Sequence, residues 1–151
     1  MGKTFKDATT LSTAEKMEVL ERAIDKSTYL SDEEKAFYLE CGPYGNFCIL
    51  SSYGWGSKKG YIKVSYHNYN YKLHTVAGLL NPVNQNRDLT GLEASHICEN
   101  KRCFNIEHIY FESDSVNKSR LCCTLFLGVK QNYTCPHTPA CIDPTFRVNE
   151  E

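Results

Sequence analysis

The sequence lacks any apolar run long enough to cross a membrane, and its first residues lack an apolar stretch of signal-peptide length. We therefore expect no membrane partner, no secretion and an intracellular location. The chain also lacks an excess of positive charge, since 17 basic and 18 acidic residues give a formal net charge of −1. Nucleic-acid binders are typically basic, so a nucleic-acid contact here would depend on a local basic surface.

Cysteine, in contrast, is abundant, with eight among 151 residues. Two explanations compete for such a count: a disulfide framework in a secreted protein and metal binding inside the cell. Half of the cysteines lie close to a histidine at ligand-like spacing. This arrangement favours zinc over disulfides.

The length predicts a single domain, 1–151, which opens with a helical segment over 1–42. Ser12 and Glu15 form one capping-box pattern and Ser31 and Glu34 form another, so we expect two helices, the second of which ends at Gly42. No residue pattern in this segment indicates chemistry, and a scaffold is the expected role.

Residues 47–75 are rich in strand formers, and we predict a sheet there. Phe47 to Leu50 predicts a strand, 53–60 a glycine-rich turn, and 61–71 a polar and aromatic strand pair. A twisted ribbon of this kind fits the DNA major groove, whereas the alternative is an ordinary half-exposed sheet. The candidate DNA-contacting residues are Lys58, Lys59, Lys63, Tyr66, Asn68, Asn70 and Lys72.

Beyond this sheet, the pattern predicts a short helix over Leu73 to Leu80, a polar loop over Val83 to Thr90, and a zinc and catalytic region over 90–141. Ser113 is expected to cap a helix that runs to about Leu121 and carries Asn117. Together these elements predict a small α+β protein with antiparallel sheets and flanking helices.

Two sets of cysteine and histidine provide enough ligands for two tetrahedral zinc sites. Cys98, Cys103 and His108 need a fourth ligand, for which Cys48 is favoured and Cys41 is the alternative. Cys135, His137 and Cys141 need one more, either Cys123 or Cys122, which spacing does not separate. Four protein ligands leave no open position, so both ions would be structural.

His96 and Asn117 remain outside these sets. In an extended strand His96 and Cys98 would lie about 7 Å apart, too far to share one zinc comfortably. A neutral imidazole accepts a proton from water near pH 7, and the Asn117 amide offers a hard oxygen ligand to Mg²⁺. A base beside a singly held Mg²⁺ is sufficient to hydrolyse a phosphodiester.

The chain contains the run Ala-Ser-His96-Ile-Cys98, followed in order by Cys103, His108, Asn117-Lys, Cys123, Cys135, His137 and Cys141. This pattern resembles the His-Cys box homing endonucleases of the ββα-metal (His-Me finger) superfamily. The resemblance covers about 48–141. It implies a zinc-stapled ββα-metal fold and site-specific cleavage of double-stranded DNA by an intron-homing homodimer, which we expect in the nucleus.

The resemblance also implies individual roles. His96 would be the general base, Asn117 the one direct protein ligand of catalytic Mg²⁺, and Lys63 the phosphate-stabilising cation in place of the family's arginine. It implies that Cys48 completes the first zinc site and Cys123 the second.

The chain departs from the family pattern in this lysine, in the eleven residues between Cys123 and Cys135, and in its short tail after Cys141. Two alternatives stay open: a restriction or degradative nuclease with the same site, and a zinc-stabilised DNA-binding module without catalysis.

Overall fold

The computed structural model of the protein describes residues 4–54, 61–126 and 134–142. Its helices and strands follow in the order α1 (Thr13–Lys26), α2 (Asp32–Cys41), β1 (Lys63–Tyr66), β2 (Tyr69–Lys72), α3 (Leu73–Leu80), β3 (Glu93–His96), β4 (Ile109–Glu112) and α4 (Asp114–Phe126). Short 3₁₀ turns occupy Ala8–Thr10, Pro82–Asn84 and Ile106–His108.

The two N-terminal helices begin at capping boxes, as the sequence predicts. Ser12 and Ser31 each accept the backbone N–H three residues on, and Glu15 and Glu34 accept the cap backbone N–H in return. Helix α1 buries one apolar face, Val19, Leu20, Ala23 and Ile24, whereas α2 buries none of its residues. Helix α2 ends at Gly42, whose φ of 92° is a conformation that glycine adopts without penalty.

Strands β1 and β2 form an antiparallel hairpin, and the predicted strand pair is confirmed. Its turn is His67 and Asn68, both at positive φ, as a two-residue hairpin turn requires. The strand predicted over Phe47 to Leu50 is wrong: within the described residues this stretch makes a single β-bridge, Leu50 to Cys103. Its partner Cys103 lies in the loop between β3 and β4 rather than in a strand.

Strands β3 and β4 form a second antiparallel sheet, with His96 opposite Ile109 and Glu93 opposite Glu112. Helix α3 packs between this sheet and α1. The predicted polar loop after α3 contains a buried anchor, because Asn84 Nδ2 donates to the carbonyl oxygens of Gly78 at 2.7 Å and Ile109 at 3.1 Å.

The architecture is therefore a small α+β fold with two antiparallel two-stranded sheets and flanking helices, which confirms the predicted class. Helix α4 continues to Phe126, further than the predicted end near Leu121. Among the described residues, no helix has both the length and the apolar character needed to span a membrane.

Candidate functional site

The first Cys3His tetrad lies at one end of the β3–β4 sheet. Cys48, Cys98, Cys103 and His108 are all buried, and their four ligand atoms lie within 4.8 Å of one another. His108 Nδ1 is 3.7 Å from Cys48 Sγ and 3.6 Å from Cys103 Sγ. The tetrad joins the segment before β1 to the loop between β3 and β4.

The second tetrad joins α4 to the chain that follows it. Cys123 on α4 meets Cys135, His137 and Cys141, again with all four ligand atoms within 4.8 Å of one another. His137 Nδ1 lies 3.3 Å from Cys123 Sγ, 3.2 Å from Cys135 Sγ and 3.6 Å from Cys141 Sγ. Backbone N–H groups of His137 and Cys141 each donate to Cys135 Sγ at 3.3 Å.

These spacings fit zinc. A tetrahedral ion with Zn–S near 2.3 Å and Zn–N near 2.05 Å separates a sulfur from a nitrogen ligand by about 3.6 Å and two sulfurs by about 3.8 Å. The sulfur–nitrogen distances of both tetrads, between 3.2 and 3.7 Å, lie close to that value. The protein therefore has two Cys3His sites that fit two structural zinc ions.

The alternatives that spacing left open are distinguished by position. Cys48 and Cys123 lie in the tetrads, whereas Cys41 and Cys122 are exposed and belong to neither group. Cys41 falls at the end of α2, outside the buried cluster of cysteines. Cys122 and Cys123 are neighbours on a helix, so about 100° of rotation separates their directions and one site cannot take both.

A buried arginine supports the second tetrad. Arg120 on α4 donates from Nε to Glu112 Oε2 at 2.6 Å and from Nη2 to Glu112 Oε1 at 2.7 Å, which is a bidentate pair. Its Nη1 reaches the Pro139 carbonyl oxygen at 2.9 Å and Cys141 Sγ at 3.3 Å. One guanidinium thus ties β4 to the second tetrad, a role that the sequence did not reveal.

His96 ends β3 and lies beside the first tetrad without belonging to it. The extended conformation considered for His96 to Cys98 is not adopted, because β3 ends at His96 and the Glu99 N–H donates back to the His96 carbonyl oxygen at 3.0 Å. His96 Nε2 lies 2.9 Å from the carbonyl oxygen of Cys103. Since a carbonyl only accepts, Nε2 carries the proton and Nδ1 keeps its lone pair.

Two further rings stack with His96, neither of which was predicted as part of a site. His74 lies 4.9 Å and Tyr61 lies 6.2 Å from His96 between ring centroids, and Tyr61 and His74 are 4.4 Å apart. Burial lowers the pKa of His96 below its ordinary value, and burial together with the neighbouring His96 lowers the pKa of His74 well below it. Both imidazoles are therefore neutral near pH 7.

Asn117 projects from α4 onto β3, where both ends of its amide are held. Ser95 Oγ donates to Asn117 Oδ1 at 2.7 Å, and Asn117 Nδ2 donates to Glu93 Oε1 at 2.7 Å. Ser95 and Glu93 lie on one face of β3 because strand residues two apart share a face. The structure thus places Asn117 against the strand that ends in His96.

A cavity of about 530 Å³ opens beside Asn117. Tyr61, His74, Glu93 and Asn117 line it, with Lys72 and Lys118 among the charged residues at its wall. An amide oxygen and a carboxylate are ligand types that Mg²⁺ takes in proteins. The donor set of this cavity therefore fits a hard divalent cation.

The predicted cation Lys63 lies on β1 directly opposite Lys72 on β2. Among the described residues, Lys72 lines the cavity with Asn117, whereas Lys63 does not. Lys72 Nζ lies 6.0 Å and Lys101 Nζ 5.4 Å from the Tyr61 ring centroid. These two ammonium groups, rather than that of Lys63, flank the aromatic stack at the site.

The predicted DNA-contacting set divides by exposure. Tyr66 faces the core, 2% exposed, and its hydroxyl lies 3.0 Å from Glu18 Oε2. Asn70 is 4% exposed, and its Oδ1 accepts from Ser65 Oγ at 2.9 Å. Burial leaves neither side chain a surface for base contacts, which corrects their selection from the alternating pattern.

The rest of the set is exposed or lies elsewhere. Asn68 and Lys72 are exposed and Lys63 is half-buried. Lys58 and Lys59 lie outside the described residues, as does most of the predicted glycine-rich turn.

Together, the fold and the two tetrads define a small α+β protein of the class that uses structural zinc ions. A family model, the zinc-binding loop region of homing endonuclease, matches residues 47–151, and the chain belongs to this family. Membership supports a DNA nuclease of the homing endonuclease type. A search of curated proteins returned no match.

Proposed function

We propose that this protein is a site-specific endonuclease that hydrolyses phosphodiester bonds of double-stranded DNA with one divalent cation and a histidine base. The observation that carries the proposal is the placement of His96. Its Nε2 is engaged by the Cys103 carbonyl oxygen, outside the Cys3His tetrad, so Nδ1 is left as the proton acceptor.

In the proposed reaction His96 Nδ1 removes a proton from a water molecule as the water oxygen forms a bond to phosphorus. The bond between phosphorus and the 3′ oxygen breaks, and that oxygen leaves with the electron pair. A bound Mg²⁺ would supply positive charge to the phosphate, and Asn117 would hold the ion through Oδ1. The neutral imidazole suits the role because burial keeps the pKa of His96 low.

Two lysines beside the Tyr61 ring support binding of a phosphate. We propose that Lys72 and Lys101 contact the DNA backbone beside Tyr61, and that Lys63 contributes from the neighbouring strand. Lys58, Lys59 and Asn68 complete the proposed DNA-contacting set. Since the net charge of the chain is −1, this local lysine patch has to provide the attraction to DNA.

We also propose that the active form is an intron-homing homodimer in the nucleus, because the family resemblance implies two copies on a long pseudopalindromic site. Light scattering of the zinc-loaded protein on its target duplex tests the stoichiometry. Two chains per duplex are expected, and one chain per duplex would contradict the dimer.

The catalytic proposal is tested on a random-sequence duplex library with Mg²⁺, with and without chelator, followed by sequencing of the new ends. Discrete ends at one long motif are expected. Scattered ends would instead indicate a degradative nuclease, and short recurrent motifs a restriction-type enzyme.

His96→Ala is the decisive variant. We expect it to bind the recovered target with unchanged affinity and to cleave it about 10²–10⁴-fold more slowly, the usual contribution of a general base. His67→Ala, an exposed histidine in the hairpin turn, is the matched control and should cleave at the wild-type rate. Binding without Mg²⁺-dependent cleavage by the wild-type protein would support the DNA-binding module.

A further inference from the structure

The Asn117 amide is held from both sides by one strand. Ser95 Oγ donates to its oxygen and Glu93 Oε1 accepts from its nitrogen, each at 2.7 Å. A carboxylate accepts and does not donate, so the amide nitrogen has to face Glu93 and the oxygen has to face Ser95. Glu93 therefore determines which end of Asn117 is available as a cation ligand.

Glu93 also brings a negative charge into the cavity. It is exposed, and it lines the cavity together with Asn117. Glu112 opposite it bonds Arg120, and Lys118, which pairs with Asp114 at 2.8 Å, also interacts electrostatically with Glu93. The bond from Glu93 goes to an uncharged amide, and a carboxylate has acceptor capacity beyond one such bond.

We propose that Glu93 is a second protein group of the divalent-cation site: it orients the Asn117 oxygen and supplies a carboxylate oxygen to the same ion. Mg²⁺ in proteins is typically held by one or two carboxylates together with waters and substrate phosphate. The assignment rests on the proposed function, in which Asn117 alone would hold the ion. It predicts that the protein binds the cation in the absence of DNA.

The test is a Mn²⁺ titration of the zinc-loaded protein without DNA, in which electron paramagnetic resonance reports the free ion. The wild-type protein should bind one Mn²⁺ per chain. Glu93→Gln keeps a side chain that can pair with the amide but removes the charge, and Glu93→Ala removes both. Each should weaken Mn²⁺ binding about 10–100-fold, as the loss of a group at a metal site commonly does.

Two controls separate this effect from misfolding and from general electrostatics. Glu33→Gln makes the same chemical change at an exposed site on α2 and should bind Mn²⁺ within about twofold of wild type. Zinc content and thermal unfolding midpoint should be the same for wild type and the Glu93 variants.

Wild-type affinity in both Glu93 variants, or no Mn²⁺ bound by the wild-type protein, would overturn the assignment. The outcome is independent of the His96→Ala cleavage test. If DNA is cleaved in a His96-dependent way while the Glu93 variants bind Mn²⁺ normally, only the role of Glu93 is lost. If Glu93 binds Mn²⁺ but the protein cleaves no duplex, the proposed nuclease function fails.

Discussion

At the scale of single residues, each Cys3His tetrad is bonded to a part of the chain that carries a proposed catalytic group. The carbonyl oxygen of Cys103 accepts from His96, and His137 Nε2 lies 2.7 Å from Ser119 Oγ on α4. Ser119 is two residues from Asn117. The tetrads thus hold the base directly and the cation ligand through its helix.

Ser119 holds the His137 ring nitrogen that faces away from the second tetrad. Its Oγ donates to the Val116 carbonyl oxygen at 2.6 Å, so it accepts from His137 Nε2 and fixes Nδ1 as the ligand atom. We expect Ser119→Ala to weaken zinc binding at the second site about 10–100-fold, measured by competition with a chromogenic chelator. Ser119→Thr keeps the hydroxyl and should retain zinc; equal loss in both variants would show that the bond is not responsible.

The burial of Arg120 is a feature that its sequence position alone does not reveal. The sequence identifies it as one of 17 basic side chains, without indicating that it is fully buried. Its burial is tolerated because all three guanidinium nitrogens donate hydrogen bonds, to Glu112, to the Pro139 carbonyl oxygen and to Cys141 Sγ. Pairing of this kind depends on β4 and α4 lying side by side, which no local pattern predicts.

At the scale of elements, a glycine allows α3 to pack closely against β4. Gly78 faces β4, and a Cβ built there would lie 2.7 Å from Ile109 Cγ2 and 3.1 Å from Phe111 Cε2. Glycine is less favourable than alanine within a helix by about 1 kcal/mol, so its presence reflects this contact.

We expect Gly78→Ala to lower the free energy of unfolding by up to about 2 kcal/mol, because overpacking costs about 1–3 kcal/mol and the gain in helix propensity offsets about 1 kcal/mol of it. Denaturant unfolding of the zinc-loaded protein measures the change. Gly54→Ala, where a Cβ meets nothing within 4 Å, is the control and should be close to neutral. A stabilised Gly78→Ala would mean that β4 moves away without penalty.

Elements with local signals were the ones that the sequence predicted well. Both capping boxes and the hairpin were recognisable because their partners lie within a few residues. The strand over Phe47 to Leu50 was wrong, and the β3–β4 pairing was not predicted, because their contacts join distant positions. Leu50 pairs with Cys103, and Ser95 pairs with Tyr110.

At the scale of the whole molecule, two clusters of buried residues replace one large core. Among the described residues, the main cluster packs α1, α3 and both sheets, whereas the second contains Cys48, Cys98 and Cys103, with Leu50 and Ile142 against it. So small an apolar cluster contributes little, and a bound metal would supply the missing free energy of folding.

The paired cysteines provide a matched test of the zinc sites. We expect two zinc ions per chain by native mass spectrometry, and one in Cys48→Ser or Cys123→Ser, with loss of cooperative unfolding. Cys41→Ser and Cys122→Ser change exposed cysteines outside the tetrads and should retain both ions. Retention of two ions in Cys48→Ser, or loss of one in Cys41→Ser, would reverse the assignment.

By itself the sequence determined the ligand types, the two sets of cysteine and histidine, the N-terminal helices and the candidates His96 and Asn117, because each has a short-range signal. The tertiary structure decided which cysteine of each pair enters a tetrad, that Tyr66 and Asn70 are buried, and that Glu93 holds the Asn117 amide. These outcomes depend on contacts between separate segments of the chain, such as Glu93 with Asn117, 24 positions apart, and Cys48 with His108, 60 positions apart. Spacing along the chain does not report such contacts, since packing and metal coordination determine them together.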